Sequence, residues 1–186
     1  QERLGKIVDT THKAADLVQR IRGYAKPADK DFEPVELNSV IEDALNLAQY
    51  QISQGGFSVV KDIPEELPKI RGIGVHLEQA FLNMIINACE AMAGKKGELR
   101  ISAGLGEDDP CRVRVNLTDN GCGISKENLK KLFSLFFTTK GPSGTGVGLS
   151  MAYRIVKDHG GDIDVESTVG EGTKFNIYLP IWKEKR

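Results

Sequence analysis

Two short glycine-rich segments are the part of this sequence best suited to bind a phosphorylated ligand. Residues 119–123 read DNGCG and residues 144–148 read GTGVG, and a phenylalanine-rich stretch lies between them over 132–140. Glycines at alternate positions let the backbone turn with positive φ and approach a ligand closely. A glycine run that opens a helix also presents amide groups to phosphates. Together the three segments predict a nucleotide pocket with a mobile cover.

Two asparagines in a predicted helix supply a second set of candidate ligands. A helix over 75–92 puts Asn83, Asn87 and Glu90 on one face, at steps of four and three, with apolar residues on the other. Asparagine favours caps and turns over helix interiors. The pair is therefore either two solvated polar positions or a functional feature. As a functional feature it offers a neutral oxygen ligand to Mg²⁺, which keeps several waters and shares nucleotide phosphates.

The elements that must position these groups alternate between helix and strand without a strict repeat. This order predicts an α+β fold in which a mixed sheet is covered by helices on one face. Asn38 or Ser39 is predicted to cap the first helix of this part. The predicted helices cover 37–52, 75–92 and 147–159, and the predicted strands cover 57–63, 99–103, 112–118, 162–166 and 174–179.

A separate helix is predicted at the beginning of the sequence. Between Leu4 and Ala25 small and apolar residues recur at alternating steps of three and four, which is typical of a helix in a coiled coil or four-helix bundle. A helix packed on its own domain is the alternative. Pro27 ends this helix. The predicted organisation is a bundle helix over 1–27, a charged linker over 28–33 and one domain over 34–182.

The amino-acid composition limits which binding partners this chain is expected to have. The 186 residues include 25 basic and 26 acidic ones, a net charge of -1, so no overall field draws the chain towards nucleic acid or an acidic membrane. We expect no nucleic-acid partner and no direct membrane contact. No apolar run reaches the roughly 20 residues that cross a bilayer. Three widely spaced cysteines, Cys89, Cys111 and Cys122, predict reduced thiols in a cytoplasmic setting.

The order of these motifs resembles the catalytic domain of sensor histidine kinases, in the superfamily shared with gyrase, MutL and the heat-shock chaperone ATPases. The resemblance covers roughly residues 32–180 and implies a two-layer α/β sandwich of the Bergerat type. One departure is Ser134-Leu135, where the family often has Glu-Pro, and it concerns the geometry of the lid. The matching N, G1, F, G2 and G3 boxes are the Asn83/Asn87 helix, Asp119-x-Gly121-x-Gly123, Phe136-Phe137, Gly144-x-Gly146-x-Gly148 and Gly170-x-Gly172-Thr173.

The resemblance implies ATP and Mg²⁺ as cofactors. Asn87 matches the asparagine that holds Mg²⁺, and Asn83 lies one turn earlier, near the phosphates. Lys140 would meet a phosphate as a point charge, with a solvated lysine at a loop tip as the alternative; these three are the implied catalytic residues. Phe136 and Phe137 match the anchors of a lid that orders over ATP, although composition alone favours core aromatics. The other implied contacts are Thr138, Thr139, Gly144, Thr145, Gly146, Val147, Gly148 and Leu149.

The resemblance also implies where the adenine lies. Asp119 matches the carboxylate that accepts a hydrogen bond from the exocyclic amine of adenine, and a turn-forming aspartate is the alternative. Gly121 and Gly123 would let the chain pass close to the base. Thr173 matches the threonine that supports the adenine contact.

Phosphoryl transfer to a protein is favoured over hydrolysis. The hydrolases of the superfamily activate water with a glutamate one turn before the Mg²⁺ asparagine, whereas this chain has Asn83 there, which cannot act as a general base. Phosphoryl transfer depends mainly on positioning and on neutralising charge. A site without an obvious base is therefore suited to a histidine acceptor.

The acceptor histidine itself is not recognisable in this sequence. The family's motif is His followed by Glu or Asp, but His12 is followed by Lys13 and lies in the segment that resembles the second bundle helix. We therefore expect a kinase cut within its dimerisation bundle, with the acceptor motif before Gln1. The implied protein partners are that bundle, as a homodimer, and a cognate response regulator. The alternatives are an anti-sigma-type serine kinase, a gyrase- or chaperone-like ATPase and a non-catalytic ATP-sensing module.

Overall fold

The computed structural model describes residues 32–106, 109–141 and 144–184. The predicted bundle helix over 1–27 lies outside these residues, and so does all of the predicted linker except Phe32 and Glu33. Glu33 is the first residue of a strand. Within the described ranges no helix combines the length and the apolar character needed to cross a bilayer.

A five-stranded mixed sheet forms one layer of the fold. The described residues contain seven strands in all, two of which form a separate small sheet: β1 (Glu33–Val35), β2 (Ser58–Asp62), β3 (Ile70–Gly72), β4 (Glu98–Leu105), β5 (Arg112–Asp119), β6 (Asp162–Thr168) and β7 (Gly172–Pro180). The large sheet has the order β2-β4-β5-β7-β6. β2 runs parallel to β4, and the other neighbours are antiparallel. The predicted mixed sheet is therefore confirmed.

A small second sheet is absent from the sequence-based prediction. β1 pairs with β3 in antiparallel fashion, with Val35 opposite Ile70. Each strand has three residues, and β1 contains a proline. Such short runs carry no readable alternation, and their pairing joins segments that are distant in sequence.

Five helices complete the described fold: α1 (Leu37–Leu47), α2 (Gln49–Gly55), α3 (Gly74–Ala91), α4 (Lys126–Leu129) and α5 (Gly148–Asp158). The single helix predicted over 37–52 is wrong, because the chain turns at Ala48 between α1 and α2. The predicted caps are also wrong. Helix α1 begins at buried Leu37 after Glu36, with no side-chain cap, and Asn38 instead donates a hydrogen bond from Nδ2 to the Pro64 carbonyl oxygen at 3.2 Å.

The core lies between one face of the large sheet and the helices. In β5, Val113, Val115 and Leu117 are buried while the residues between them are partly exposed, which is the period expected when only one face is covered. Helix α3 contributes the largest block of the facing layer, and it packs against α1 and α5. The two-layer arrangement agrees with the predicted sandwich. Its helical layer brings the middle of α3 next to the beginning of α5.

A buried histidine joins the far end of α5 to the beginning of α3. His159 Nε2 accepts a hydrogen bond from the Ile73 amide at 3.0 Å, and Nδ1 lies 2.7 Å from the Ile155 carbonyl oxygen. The second contact requires a proton on Nδ1, so both ring nitrogens are satisfied in the neutral form. Burial is the main reason that the pKa of His159 lies below its ordinary value.

Candidate nucleotide site

A cleft of about 270 Å³ lies between α3, the segment 132–140 and the beginning of α5. Helix α3 contributes Asn83, Ile86, Asn87 and Glu90, which lie on one face as the helical spacing predicts. The remaining lining residues are Leu132, Phe137, Thr138, Thr139, Lys140, Gly144, Thr145, Gly146, Gly148 and Leu149. Three segments that are separate in sequence thus form the walls of one cleft.

Asn83 presents a buried donor that the protein itself does not satisfy. Its side chain is only 5% exposed, and Oδ1 accepts a hydrogen bond from Gln79 Nε2 at 3.4 Å. Within the described part of the chain, no acceptor is in hydrogen-bond range of Nδ2. Buried polar groups are nearly always paired, and an orphan costs about 1–3 kcal/mol. An amide donor in the wall of a cleft is suited to a phosphate oxygen.

Lys140 brings a positive charge to the asparagine face of α3. Its Nζ lies 3.1 Å from Asn87 Oδ1 and forms an ion pair with Glu90 Oε2. The Lys140 amide also donates to Thr138 Oγ1 at 3.1 Å. The lysine is therefore tied to α3 and not held in solvent at a loop tip.

The glycine run before α5 is shaped around the phenylalanine segment. Gly146 has φ 64°, and a Cβ at this position would lie 2.7 Å from the Phe136 carbonyl oxygen. The Phe136 amide donates to the Gly146 carbonyl oxygen at 3.0 Å. Phe136 itself has φ 65°, an uncommon value for a bulky residue, and its ring is 61% exposed. Phe137 lines the cleft, whereas Phe136 does not line it and is too exposed to belong to the core.

At the beginning of α5, Gly148 lines the cleft and Val147 does not. Gly148 is the first residue of the helix and faces Asn83: a Cβ added to Gly148 would lie 3.7 Å from Asn83 Oδ1. Val147 is buried and does not line the cleft. Leu149 and Thr145 do line it.

The residues predicted for adenine form a second group beside the cleft. Asp119, Gly121, Gly123 and Thr173 are not among the residues that line it. Asp119 is 4% exposed, and it accepts a hydrogen bond from the Gly121 amide at 2.8 Å. Thr173 lies directly opposite Asp119 in the register of β5 and β7. The carboxylate is therefore positioned by a sheet and by its own turn.

Helix α3 connects the two groups. The Cys122 amide donates to the Ala91 carbonyl oxygen at 2.9 Å, so the 119–123 turn is attached to the last turn of α3. A Cβ on Gly121 would lie 2.7 Å from that same oxygen. Only glycine allows this approach, and it explains the first glycine of the motif by packing. The helix that carries Asn83 and Asn87 thus also positions the aspartate turn.

Burial dominates the electrostatics of Asp119. It raises the pKa of the carboxyl group above its ordinary value of 3.8, against hydrogen bonds from Gly121 and Thr173 and the positive charge of Lys95. Lys95 Nζ lies 3.1 Å from the Gly121 carbonyl oxygen. A buried carboxylate with so few charged partners is suited to accept hydrogen bonds from a neutral base.

Sequence reasoning missed some members of the site. It placed Glu90 on the asparagine face but gave it no role, and it named neither Ile86 nor Leu132. The step of three residues from Asn87 was a sufficient signal for Glu90. Ile86 and Leu132 carried no signal, because an apolar residue in a helix or loop is not distinguished from a core residue by its type.

Comparison with known proteins agrees with this fold. Residues 72–183 match the family described as histidine kinase-, DNA gyrase B-, and HSP90-like ATPase. The chain therefore belongs to this family, and the resemblance drawn from the motifs is confirmed.

Its relatives include named sensor kinases. The chain is 34% identical to the signal transduction histidine-protein kinase AtoS of Escherichia coli over 181 residues, which cover 97% of this chain and 29% of that protein. It is 34% identical to the sensor histidine kinase ZraS of Salmonella typhimurium over 173 residues, or 91% of this chain and 36% of ZraS. The chain thus spans about a third of the length of these relatives.

Solved structures of histidine kinases share the fold of this chain. The catalytic domain of histidine kinase ThkA aligns with a TM-score of 0.71 at 30% identity, over 82% of this chain and 97% of that one. ThkA in complex with the response regulator protein TrrA aligns with a TM-score of 0.76 at 28% identity, over 97% of this chain and 51% of that one.

Proposed function

We propose that this chain is the ATP-binding catalytic part of a sensor histidine kinase, which transfers the γ-phosphate of ATP to a histidine on a dimerisation bundle. The observation that carries the proposal is the unpaired amide of Asn83, buried in the wall of a cleft whose other walls are a glycine run and a lysine. Such a group needs an acceptor, and a triphosphate supplies several. Asp119 and its turn provide the adjoining position for adenine.

The donor set also fits Mg²⁺. Asn87 Oδ1 and Glu90 Oε2 already bind one cation, the ammonium group of Lys140. In the proposed complex Asn87 would hold the metal, which would neutralise phosphate charge and orient the triphosphate. Asn83 would donate to a phosphate oxygen, and Lys140 would add a positive charge.

Phosphoryl transfer is the reaction class that suits these residues. Asn83 occupies the position one turn before Asn87 and cannot take a proton from water. The position that carries the water-activating glutamate in the hydrolases of the superfamily therefore carries no base here, and the cleft offers positioning and charge neutralisation. The acceptor would be the bundle of the kinase itself, in a homodimer, and the phosphate would pass to a cognate response regulator. ThkA, which is similar to this chain, has been crystallised in complex with the response regulator protein TrrA.

We assign the catalytic part to the cytoplasm. All three cysteines are free thiols in the structure, and two of them are exposed. Exposed thiols persist in a reducing compartment.

The test is transfer to a separately produced bundle that carries the parent protein's acceptor histidine. The chain should phosphorylate this bundle with Mg–ATP, and the phosphate should be acid-labile, as phosphohistidine is. Asn87→Ala should lower the rate by roughly 10–100-fold or more, because losing a metal ligand costs no less than losing a residue that orients one. Asn46→Ala, at an exposed position of α1, is the matched control and should leave the rate unchanged.

Each alternative predicts a different result in the same assay. Acid-stable phosphate on serine would support the anti-sigma-type kinase. Sustained ATP hydrolysis without the bundle would support a gyrase- or chaperone-like ATPase. Binding of ATP with no transfer to the bundle would support a sensing module, and any of the three would contradict the proposed function.

A further inference from the structure

Residues 132–140, here called the lid segment, end at Lys140, and the contact of Lys140 with helix α3 determines how nucleotide binds if the proposed function holds. Lys140 Nζ is bound by two oxygens from consecutive turns of α3, Asn87 Oδ1 at 3.1 Å and Glu90 Oε2 in an ion pair. The lysine and glutamate side chains are 35% and 52% exposed. The ammonium group therefore lies at the oxygen that is proposed to hold Mg²⁺.

The lid segment is built so that Lys140 reaches α3. The Phe136 amide is bonded to the Gly146 carbonyl oxygen, and the Gly144 amide to the Gly141 carbonyl oxygen. The Lys140 amide is held by Thr138 Oγ1. Phe136 keeps positive φ in this arrangement, and an uncommon backbone conformation persists only where its surroundings hold it. The position of the lysine is thus a property of the whole segment.

Two cations do not share one amide oxygen at close range, because like charges separated by a few ångströms repel strongly in a partly buried site. Lys140 and a metal ion are therefore alternatives at Asn87. A triphosphate carries more negative charge than one half-exposed carboxylate, so it offers Lys140 a better partner. Glu90 remains on α3 when Lys140 leaves.

We propose that Glu90 is a positioning residue of the nucleotide site: it holds Lys140 against Asn87 until Mg–ATP transfers the lysine to phosphate. Before nucleotide binds, the ammonium group of Lys140 occupies the cation position at Asn87 and holds the lid segment against α3. When Mg–ATP binds, the metal ion replaces the ammonium group at Asn87. Glu90 contacts neither substrate nor metal in this role, and it acts through Lys140.

Trypsin cleavage after Lys140 measures the contact directly, because the protease must bind the same ammonium group. Without added nucleotide, Glu90→Gln should be cut at Lys140 about three- to fivefold faster than the wild type, in line with the loss of one partly exposed ion pair. Glu90→Asp keeps the charge on a shorter side chain and should fall between them. Glu127→Gln, at an exposed glutamate that faces Lys131, is the matched control and should resemble the wild type.

Adding nucleotide tests whether Glu90 positions Lys140 or only stabilises the fold. With a saturating non-hydrolysable ATP analogue and Mg²⁺, Lys140 should be protected equally in wild type and Glu90→Gln, because phosphate then holds it. Mass spectrometry resolves this site from other lysines, and circular dichroism verifies that the variants fold.

The outcomes are distinguishable. Equal cleavage of wild type and Glu90→Gln without nucleotide would overturn this inference, and so would a difference that persists at saturating nucleotide. A wild-type chain that binds no ATP analogue would contradict the proposed function, while the cleavage rates without nucleotide would still decide whether Glu90 holds Lys140.

Discussion

At the scale of single residues, the site combines groups that are neutral or weakly charged when buried. Asn83 and Asn87 supply amide atoms, and Asp119 is a buried carboxyl group with a raised pKa. Formal charges come from the ion pair of Lys140 with Glu90 in the cleft and from Lys95 beside the Asp119 turn. Local geometry, and not overall charge, must therefore bind the triphosphate, since the net charge of the chain is -1.

Asp119 is the residue at which nucleotide binding is expected to weaken without a loss of stability. Asp119→Asn should weaken binding of an ATP analogue roughly 10–100-fold, the equivalent of one hydrogen bond to a charged group. The folded state disfavours the ionised form, so removing the charge should not lower the melting temperature. Calorimetry and thermal melts measure the two effects. The control is Asp164→Asn, at an exposed position of β6, and a wild-type affinity in Asp119→Asn would remove Asp119 from the site.

The same carboxyl group predicts a pH dependence of binding. Its pKa lies above 3.8, so acidification protonates it in the folded protein at a pH where an ordinary aspartate stays ionised. Affinity for the ATP analogue should fall as the pH drops through that pKa. Stability behaves in the opposite sense, since a raised carboxyl pKa means that the folded state binds the proton more tightly than the unfolded chain. Asp119→Asn should lack this step in affinity.

At the scale of elements, the lid and the beginning of α5 form one unit joined through Gly146. Gly146→Ala would force an alanine to φ 64° and place its Cβ against the Phe136 carbonyl oxygen. The cost of about 1–3 kcal/mol falls on the lid and not on the core, so binding of the ATP analogue should weaken about tenfold with a small change in melting temperature. Gly104→Ala, where a Cβ meets open space, is the control. Unchanged affinity in Gly146→Ala would show that the lid does not depend on this approach.

The other end of α5 depends on His159. The charged and titratable groups that affect its ring are His76, Asp158 and Arg71, and the Phe32 ring packs against it edge-on. Its pKa is lowered in the folded state, so the unfolded chain binds the proton more readily near pH 6.5. The stability that His159 contributes is present above pH 6.5 and is lost as the pH falls towards the folded-state pKa, by about 1.4 kcal/mol for each unit of difference.

The variant that checks this is His159→Gln. It should be less stable than the wild type at neutral pH, because it loses the ring packing and the bond to Ile73, and its stability should change less between pH 7 and pH 5. Urea unfolding at several pH values measures both quantities. A pH dependence identical to that of the wild type would contradict the role of His159, and His76→Gln is the neighbouring control.

At the scale of the whole molecule, the described site lies within one domain, between Asn83 on α3 and Thr173 on β7. A chain that begins at Phe32 should therefore bind the ATP analogue within about twofold of the full sequence, because none of the described lining residues precedes Asn83. Transfer to the separate bundle should fall at least tenfold if residues 1–27 form the predicted bundle helix, since the acceptor is then held less closely. Loss of nucleotide binding on truncation would contradict the domain boundary at residue 34.

The sequence by itself determined the class of fold and the identity of most candidate ligands. The helical period of Asn83, Asn87 and Glu90 and the alternation in β5 are local properties, and each follows from side-chain direction along one element. The glycine motifs were readable for the same reason, since Gly146 and Gly121 occupy positions where a side chain would collide with neighbouring backbone.

Only the tertiary structure decided how these pieces meet. The pairing of β1 with β3, the burial of the Asn83 amide nitrogen without a partner in the described fold and the ion pair of Glu90 with Lys140 all depend on contacts between segments that are distant in sequence. Local propensity carries no information about such contacts, because their energies arise when separate elements pack together. The sequence left Lys140 with two interpretations, a phosphate contact or a solvated lysine at a loop tip, and its position against α3 became visible only in the folded chain.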